Sequence, residues 1–534
     1  MDAERVPVLI AGGSLVGLSA SMLLAARGVD HVLVERHPGT AIHPRAAMFH
    51  QRTMEIFREV GLQEEVEAAA EREFVQNGAI VAVESLAGRE LKYFFRSVND
   101  GVEHLSPGTR VFITQVGLEP VLRRRAAELG ARHHFGTELA GFEQRADGVS
   151  CVLRPRAGGP ERTVLAQYLI AADGAHSAVR QRLGIDLLGW GAFADCVTIY
   201  FKANVKDLIG ERNLSVVYVN HPELLGFFRF AITSDSGFLA VFSTTRPDGT
   251  QDRQVGRDLS AERCAGLVRT ALGVSDLPVE IDNVQRWDAT AAYAARYRDG
   301  RVFLAGDAAH VMPPTGGFGG NAGVADAHNL AWKLAMVLDG VAGPALLDSY
   351  EAERAPIGRI TTEQAYTRYV LRVDPSLSDD GLAGPVDDPS IELGALYSSA
   401  AVAPQPEDPP ELDDPRQPTG RVGARLPHLP VTLDGATGST LDLVGPGFTV
   451  LAGPEGEAWC RAAAAVADAL DLPLTAHLVG PLVDRAGAFP AALGLPPSGA
   501  VLVRPDRVIA WRGAHPGTAP DEELKRVLSA VLAR

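Results

Sequence analysis

Three glycine-centred motifs contain the residues of this 534-residue chain whose types and spacing could do chemistry. The first is Gly12-Gly13-Ser14-Leu15-Val16-Gly17, which follows the apolar segment from Val6 to Ala11. An Ala/Leu-rich helix is predicted after it, over Leu18 to Arg27. Glycines at such a strand-to-helix turn let main-chain NH groups approach a pyrophosphate. The pattern therefore predicts a site for a dinucleotide.

Glu35 strengthens this prediction. It lies at the end of a second predicted strand, Val32 to Val34, about 20 residues after the glycine turn, where a carboxylate can accept ribose hydroxyls. Ser14 replaces the glycine that usually approaches the pyrophosphate, and its hydroxyl can still donate to phosphate. The first motif alone also fits a turn that serves only close backbone packing, or the nucleotide site of an NAD-dependent dehydrogenase.

The other two motifs each end an apolar strand on an acidic turn. They are Asp173-Gly174, within Tyr168 to Arg180, and Gly306-Asp307, within Arg301 to His310. Together with the first motif they resemble the group A flavoprotein aromatic hydroxylases, which are single-component FAD monooxygenases similar to p-hydroxybenzoate hydroxylase. The resemblance covers residues 1 to about 370 and rests on three motifs in matching order.

The resemblance implies a cofactor site for FAD. It assigns the FAD pyrophosphate to the Gly12 turn, the adenosine ribose to Glu35 with neighbouring Arg36, and the ribityl chain and pyrophosphate region to Asp307. A glycine-rich loop follows, and a helix is expected from about Ala322 through Leu338, with main-chain NH groups at its start facing the flavin pyrimidine. The cofactor residues expected in this loop are Pro314, Gly316, Gly317, Gly319, Gly320 and Asn321. The same loop also fits a Gly/Pro-rich turn without a ligand.

Further cofactor contacts follow from the same resemblance. Arg45, in His43-Pro44-Arg45, is expected to approach the flavin and its phosphates, and Gln115 matches a glutamine that contacts the cofactor. Asp173-Gly174 is expected to touch both FAD and the reduced nicotinamide. Ser177 and Arg180 fit either this role or that of ordinary helix-start residues.

The chain shows no second glycine-rich unit of this kind for NAD(P)H. The resemblance implies that NAD(P)H binds transiently and that dioxygen is the co-substrate. It also implies that the reduced flavin forms a C4a-hydroperoxide, which transfers one oxygen atom to an electron-rich ring. We expect no metal, because the His and Cys residues lack ligand spacing.

The substrate is expected to contact a sheet formed by residues 76–104 and 186–284, where apolar residues alternate. Two polar residues are candidates for assisting phenol deprotonation, Tyr218 and Arg372; an arginine stabilises a phenolate without itself titrating. Aromatic residues of this region fit either stacking on a planar polycyclic ligand or an ordinary core, namely Tyr218, Phe227, Phe228, Phe230 and Trp287.

The fold class predicted is α/β. A Rossmann-like FAD-binding domain of the glutathione reductase type (residues 1–75, 105–185 and 285–345) carries the inserted sheet domain. A helix and a Pro-rich linker over 346–418 lead to a domain over 419–534. The last domain resembles the thioredoxin-like domain of phenol and polyketide hydroxylases, but it lacks Cys-x-x-Cys, so thiol redox chemistry is not expected.

Composition limits the remaining possibilities. The formal charge of −16 argues against a nucleic-acid partner, and no stretch reaches the apolar length of a membrane span. Four scattered cysteines suit a cytoplasmic protein, which we expect to be a monomer or homodimer.

The function expected is hydroxylation of a polycyclic aromatic polyketide. Baeyer-Villiger oxygenation and antibiotic inactivation stay open, as does a flavin-binding protein without oxygenase activity.

Overall fold

The computed structural model describes residues 4–42, 47–246, 248–257, 259–377, 381–405 and 409–534. The strands in chain order are β1 (Glu4–Ala11), β2 (His31–Glu35), β3 (Ala79–Val83), β4 (Glu90–Phe95), β5 (Arg132–Phe135), β6 (Thr137–Arg145), β7 (Gly148–Pro155), β8 (Arg162–Ala171), β9 (Leu187–Lys202), β10 (Leu214–His221), β11 (Leu224–Phe230), β12 (Ser236–Thr245), β13 (Gln251–Asp252), β14 (Glu280–Ala294), β15 (Arg298–Asp299), β16 (Val302–Leu304), β17 (His310–Val311), β18 (Pro430–Leu433), β19 (Ala436–Ser439), β20 (Phe448–Ala452), β21 (Leu474–Leu478), β22 (Ala500–Val503) and β23 (Ile509–Gly513).

The α-helices are α1 (Leu15–Ala25), α2 (Gln51–Glu59), α3 (Gln63–Glu73), α4 (Gln115–Glu128), α5 (Ala178–Arg182), α6 (Lys206–Ile209), α7 (Ala261–Leu272), α8 (Phe318–Leu338), α9 (Asp348–Arg372), α10 (Asp388–Leu393), α11 (Glu457–Leu470), α12 (Phe489–Ala492) and α13 (Pro520–Val531). Short 3-10 helices lie at Glu103–Leu105, Val255–Arg257, Gly306–Ala308, Pro344–Leu347 and Thr440–Leu443.

The first sheet contains the nucleotide-binding unit. Its main order is β15-β16-β8-β1-β2-β5, and β7 and β6 extend it from β8. The strand β1 runs parallel to both β2 and β8. Its residues from Val8 to Ala11 are buried, as expected of a continuous apolar strand covered on both faces.

Two helices of this domain begin earlier than the sequence predicts. The helix α1 begins at Leu15 rather than Leu18, directly at the glycine turn. The helix α8 begins at Phe318 rather than Ala322, with Gly319 and Gly320 inside its first turn. A glycine costs only about 1 kcal/mol in a helix, so packing of the buried Phe318 outweighs that cost.

The second sheet has nine strands in the order β17-β14-β9-β12-β11-β10-β3-β4, with β13 on β12. The long strands β9 and β14 pair along most of their length, and the predicted domain boundary between residues 284 and 285 falls inside β14. One face of the sheet packs on α7. The other face packs an aromatic layer against the end of α9.

The C-terminal domain contains a four-stranded sheet in the order β21-β20-β22-β23. The strands β20 and β21 are parallel and are joined through α11, while β22 and β23 are antiparallel and precede α13. This β-α-β unit followed by a β-β-α unit is the thioredoxin-like arrangement.

The segment before this domain is more than a surface linker. Part of it forms α10, whose residues Ser390 to Leu393 are buried. Glu392 is buried there because it pairs with Arg110 at 2.9 Å.

Candidate active site

The glycine turn packs against the segment that ends just before Asp173. Gly12 has φ +107°, and a Cβ at this position would lie 2.1 Å from the Ala172 carbonyl oxygen, just before Asp173. A Cβ on Gly17 would lie 1.9 Å from the Gly12 carbonyl oxygen. Because a side chain fits at neither position, the backbone packs closely at the start of α1, which also contains Val16.

Glu35 lies beside this turn, at the end of β2. Its carboxylate accepts hydrogen bonds from the Gly13 main-chain nitrogen at 2.7 Å and from the His37 nitrogen at 2.8 Å. The adjacent Arg36 is exposed and donates to the His37 ring at 3.3 Å. The carboxylate is therefore fixed at the strand tip where the adenosine ribose was predicted to bind.

Glu119, which sequence reasoning did not single out, holds the other side of the turn. This fully buried carboxylate accepts from Ser14 Oγ at 2.5 Å and from the Leu15 main-chain nitrogen at 2.9 Å. It also accepts from the Ala41 nitrogen at 2.7 Å and from Gln115 Nε2 at 3.1 Å. Gln115 was predicted as a cofactor contact; it lies next to the turn and also donates to Ser14 Oγ at 3.2 Å.

The two acidic motifs meet at the same end of the sheet. Asp173 accepts from the Val179 nitrogen at 3.1 Å, and Gly174 has φ +87°. Arg180 donates to the Ala308 carbonyl oxygen at 3.1 Å and so ties the Asp173 loop to the Asp307 loop. Ser177 caps the short helix α5 by accepting from the Arg180 nitrogen. Both residues thus serve as helix-start residues, and Arg180 additionally bridges the two motifs.

Gly306 and Asp307 form a 3-10 turn against α1. Gly306 has φ +61°, and a Cβ there would lie 2.6 Å from Val16 Cγ2. The Asp307 side chain is exposed. Behind the turn, buried Asp326 accepts from the Gly306 nitrogen at 3.0 Å and from His310 Nε2 at 2.7 Å. Asp326 was also missed, because a lone acidic residue inside a helix carries no motif.

The glycine-rich loop before α8 is held by Asn321. The amide oxygen of this residue accepts from the His50 nitrogen at 2.9 Å, and the amide nitrogen donates to the carbonyl oxygens of Gly317 at 2.6 Å and Met48 at 3.0 Å. Its side chain therefore positions the loop, which leaves the main chain of the first α8 turn as the group that faces outward. Gly316 and Gly317 have φ +94° and +69°, values that favour glycine.

The remaining predicted loop residues lie around the Asn321 side chain. Pro314 is exposed, and Gly319 and Gly320 are half-buried in the first turn of α8. His50 Nε2 donates to the Gly316 carbonyl oxygen at 3.1 Å. Arg45 lies outside the described residues.

These groups fit a flavin dinucleotide. The helix starts of α1 and α8 lie on one side of the Gly306 turn, since a Cβ on Gly323 of α8 would reach both Val16 at 2.4 Å and the Gly306 backbone at 3.1 Å. The carboxylates of Glu35 and Asp307 flank these helix starts. Main-chain NH groups suit phosphate, and carboxylates suit sugar and ribityl hydroxyls.

Tyr218 and Arg372 come together on the aromatic layer between the second sheet and α9. Arg372 lies close enough to Tyr218 to lower the pKa of its hydroxyl, and its guanidinium lies 5.1 Å from the Phe94 ring centroid. Burial raises the pKa of Tyr218, and Arg372 offsets only part of that rise. Tyr218 thus keeps its proton at neutral pH.

A chain of aromatic rings extends from this pair toward the surface. Successive centroids lie 4.4 to 6.0 Å apart, and the outermost pair, Trp190 on Tyr366, is stacked at 4.4 Å. The chain runs through Phe94, Tyr218, Phe227, Phe242, Tyr369, Phe193, Tyr366 and Trp190. Phe228 and Phe230 instead pack in the core on the opposite face of the sheet.

The chain matches two family descriptions. Residues 5–365 match the FAD binding domain, and residues 419–534 match the C-terminal domain of aromatic-ring hydroxylases. The chain belongs to the FAD-dependent aromatic-ring hydroxylases.

Relatives and solved structures agree with this assignment. The hydroxylase is 48% identical to 4-methyl-5-nitrocatechol 5-monooxygenase of a Burkholderia species, over 99% of this chain and 98% of the relative. It is 40% identical to tetracenomycin A2 monooxygenase-dioxygenase of Streptomyces glaucescens, over 100% and 98% of the two chains. The crystal structure of aklavinone-11 hydroxylase with FAD and aklavinone superposes with a TM-score of 0.93 at 37% identity, covering 100% of both chains.

These findings confirm several predictions. The hydroxylase is an FAD-dependent aromatic monooxygenase, and the predicted family and fold class are correct. An NAD-dependent dehydrogenase built on the Gly12 turn is thereby excluded.

Arg229 is a further residue that the sequence did not reveal. It lies on the aromatic face of β11, is 3% exposed, and donates to the Ala47 carbonyl oxygen at 2.8 Å. The rings of Phe74 and Phe112 flank its guanidinium at 4.2 and 4.4 Å. Burial lowers the pKa of Arg229, and only Glu73 opposes this. The hydroxylase thus keeps a buried cation beside the chain segment that precedes Met48.

The described part of the hydroxylase lacks two kinds of feature, a metal-binding cluster and a membrane-spanning helix. No group of three or more His, Cys, Asp or Glu side chains placed to hold a metal ion occurs there. No helix there has the length and apolar character needed to cross a membrane.

Proposed function

We propose that the hydroxylase inserts one oxygen atom of dioxygen into a phenolic ring of a fused-ring aromatic polyketide, at the expense of NAD(P)H. The observation that supports this proposal is the Tyr218–Arg372 pair on a face lined by aromatic rings. A phenol needs both a partner for its oxygen and flat apolar surfaces for its ring.

The pair suits stabilisation of a substrate phenolate. Arg372 offers a fixed positive charge, and protonated Tyr218 offers a hydrogen-bond donor. Ionisation of the phenol increases electron density on the ring, which favours attack on an electrophilic oxygen. The two residues therefore act on the substrate rather than on the cofactor.

FAD, when bound, supplies the reduction and oxygen-transfer chemistry. The chain contributes binding through the Gly12 turn, Glu35 and Asp307, and orientation through the loop that Asn321 holds. The aromatic layer excludes water around the reacting ring, which limits wasteful release of hydrogen peroxide.

The chain of rings supports a fused-ring substrate. It extends from Tyr218 to the partly exposed Trp190, and its rings mostly pack tilted or edge-to-face on one another, so this aromatic layer is longer than a single substrate ring. The similarity to the aklavinone complex and to the tetracenomycin enzyme favours the same class.

A small nitro-substituted catechol is the second candidate. The 48% identity to 4-methyl-5-nitrocatechol 5-monooxygenase over nearly the whole chain favours it. Baeyer-Villiger oxygenation of a polyketide quinone would use the same cofactor and differs in its product, a lactone.

The test is NADPH oxidation by the purified flavoprotein with tetracyclic aglycones and, in parallel, with 4-methyl-5-nitrocatechol. We expect an aglycone to stimulate oxidation and to gain one oxygen atom by mass spectrometry. Stimulation by the nitrocatechol alone would select the second candidate, and a lactone product would select Baeyer-Villiger chemistry. If only peroxide forms with every compound, the proposed substrate classes are both wrong.

A further inference from the structure

The C-terminal domain contacts one charged face of α2, the helix that follows the cofactor-facing segment at Met48. Four charged residues lie along this face, and each contacts the C-terminal domain: Arg52, Glu55, Arg58 and Glu59. We propose that the C-terminal domain positions the cofactor-facing loop at residues 314–320 by fixing α2, and that the Arg425–Glu55 ion pair is the main contact through which it does so.

The Arg425–Glu55 ion pair is buried and bidentate. Arg425 Nε donates to Glu55 Oε2 at 2.9 Å, and a second guanidinium nitrogen contacts Oε1. The side chains are 7% and 1% exposed. Ser106 donates to the same carboxylate at 2.7 Å, and Arg52 pairs with it from within α2 at 2.9 Å. The pair therefore fixes both the position and the rotation of α2.

The C-terminal domain is also anchored to α8 and α9. Arg504, which is fully buried, pairs with Glu353 of α9 at 2.6 Å and with Asp506 of its own turn. Glu353 also accepts from Lys333 of α8 at 2.8 Å. This network attaches the C-terminal domain to α8 and α9. The contacts of the domain with α2 therefore help to set the position of α2 relative to α8.

The first turn of α2 transmits that position to the loop. Thr53 Oγ1 donates to the Asn321 amide oxygen at 2.6 Å, two residues before Glu55. The Asn321 amide nitrogen donates to Gly317, in the loop itself. A displacement of α2 must therefore move either Asn321 or the two glycines whose positive φ angles shape the loop.

A cavity of about 70 Å³ lies at this junction, lined by residues that include His50, Asn321, Arg425 and Val508. The junction is thus incompletely filled on this side of α2, whose opposite side packs in the core through Met54, Ile56 and Phe57. Removing one partner of a buried ion pair is destabilising, so the melting temperature of each variant is measured beside its affinity for FAD. The two-point pair fixes the geometry of α2 on the side where packing is incomplete.

The test compares Arg425→Met with Arg58→Met. Arg58 lies on the same face of α2 and pairs with Asp442 of the same domain, but the two side chains are 35% and 24% exposed. The affinity of the apoprotein for FAD is measured by fluorescence titration, well below the melting temperature. We expect the Kd for FAD to rise about tenfold for Arg425→Met, against less than about twofold for the exposed pair.

Two further variants separate positioning from general loss of stability. Arg425→Lys keeps the charge but cannot pair with both carboxylate oxygens in the same geometry, so it should restore only part of the affinity. Leu451→Ala opens the buried core of the C-terminal domain without removing the Arg425–Glu55 pair, and it should lower the melting temperature with little change in the Kd. Glu55→Gln tests the same pair from α2 should Arg425→Met fail to fold.

Equal weakening of FAD binding by Leu451→Ala and Arg425→Met would overturn the proposal, as would an unchanged Kd in Arg425→Met. The visible circular dichroism of the bound flavin should change in Arg425→Met and not in Arg58→Met. Because these measurements involve FAD and no substrate, their outcome is independent of the proposed substrate class.

Discussion

The glycine-rich end of the first sheet and the aromatic layer of the second sheet are built from different parts of the chain. At the glycine-rich end, glycines and helix starts predominate, and each motif lies within a few consecutive residues. The aromatic layer is made of large side chains from β4, β10, β11, β12 and α9.

This difference explains how related enzymes share a cofactor and differ in substrate. A main-chain surface depends on glycines and on φ angles, so most substitutions elsewhere leave it intact. A side-chain surface changes with every substitution in the layer. Relatives at 40 to 48% identity are accordingly described with a nitrocatechol and with tetracenomycin A2.

The largest expected effect is that of a methyl group in the main-chain surface. We predict that Gly12→Ala abolishes FAD binding, because the added Cβ would lie 2.1 Å from a backbone oxygen and the φ of +107° is strained for alanine. The loss, on the order of 100-fold or more in Kd, is read from flavin absorbance after purification and reconstitution. Gly28→Ala is the control, since its Cβ meets nothing within 4 Å although φ is +73°. Flavin retained in full by Gly12→Ala would show that this turn is not the pyrophosphate site.

The second-largest effect is expected at Arg372 and Tyr218, where substitution should lower turnover and leave cofactor binding unchanged. We predict that Arg372→Met and Tyr218→Phe each lower kcat/KM by roughly 100-fold, because each removes one group that stabilises the phenolate. The Kd for FAD should change less than about twofold, since neither residue lies near the main-chain surface.

The pH dependence tests the same pair. In Arg372→Met the substrate must ionise without help, so kcat/KM should recover as the pH rises toward the substrate's own pKa. The raised pKa of Tyr218 means that this residue stays protonated over that range and does not cause the recovery. A parallel fall in activity at every pH would instead indicate that Arg372 only supports the fold.

The same difference decides what the sequence could predict. The Gly12 turn, Glu35, Asp173 and Asp307 could be predicted as candidates because their motifs are local. The sequence predicts the start of α8 four residues too late, because glycines disfavour a helix whereas the packing of Phe318 outweighs that cost.

Residues that act across the chain could not be found from the sequence. Glu119, Asp326 and Arg229 have no motif, and their importance arises only when distant segments meet. Tyr218 and Arg372 are candidates from the sequence only as polar residues of the predicted substrate region, and their approach to each other depends on how β10 and α9 pack.

A smaller effect is expected from a buried side chain that holds the glycine turn. We predict that Glu119→Gln lowers the free energy of unfolding by about 1 to 3 kcal/mol, because an amide cannot accept from all the donors that surround this buried carboxylate. The measurement is denaturant unfolding of the FAD-loaded protein. Glu128→Gln on the same helix is the control, as its carboxylate is exposed. Equal stability of the two variants would show that the turn holds its shape without Glu119.

The smallest expected effect lies at the outer end of the ring chain and bears on substrate size. Trp190 stacks on Tyr366 at 4.4 Å and is remote from the Tyr218–Arg372 pair, so it can contact only a substrate that extends across several rings. We predict that Trp190→Leu raises KM for a tetracyclic substrate about fivefold, the value of one lost aromatic contact, and leaves kcat unchanged. Leu187→Ala, on the same strand and 37% exposed, should change neither parameter. A single-ring catechol should bind both variants like the parent protein, because it would not reach the outer stack. If Trp190→Leu raises KM for the catechol and for the tetracyclic substrate equally, Trp190 does not distinguish substrates by length. The argument for a fused-ring substrate then loses its structural support.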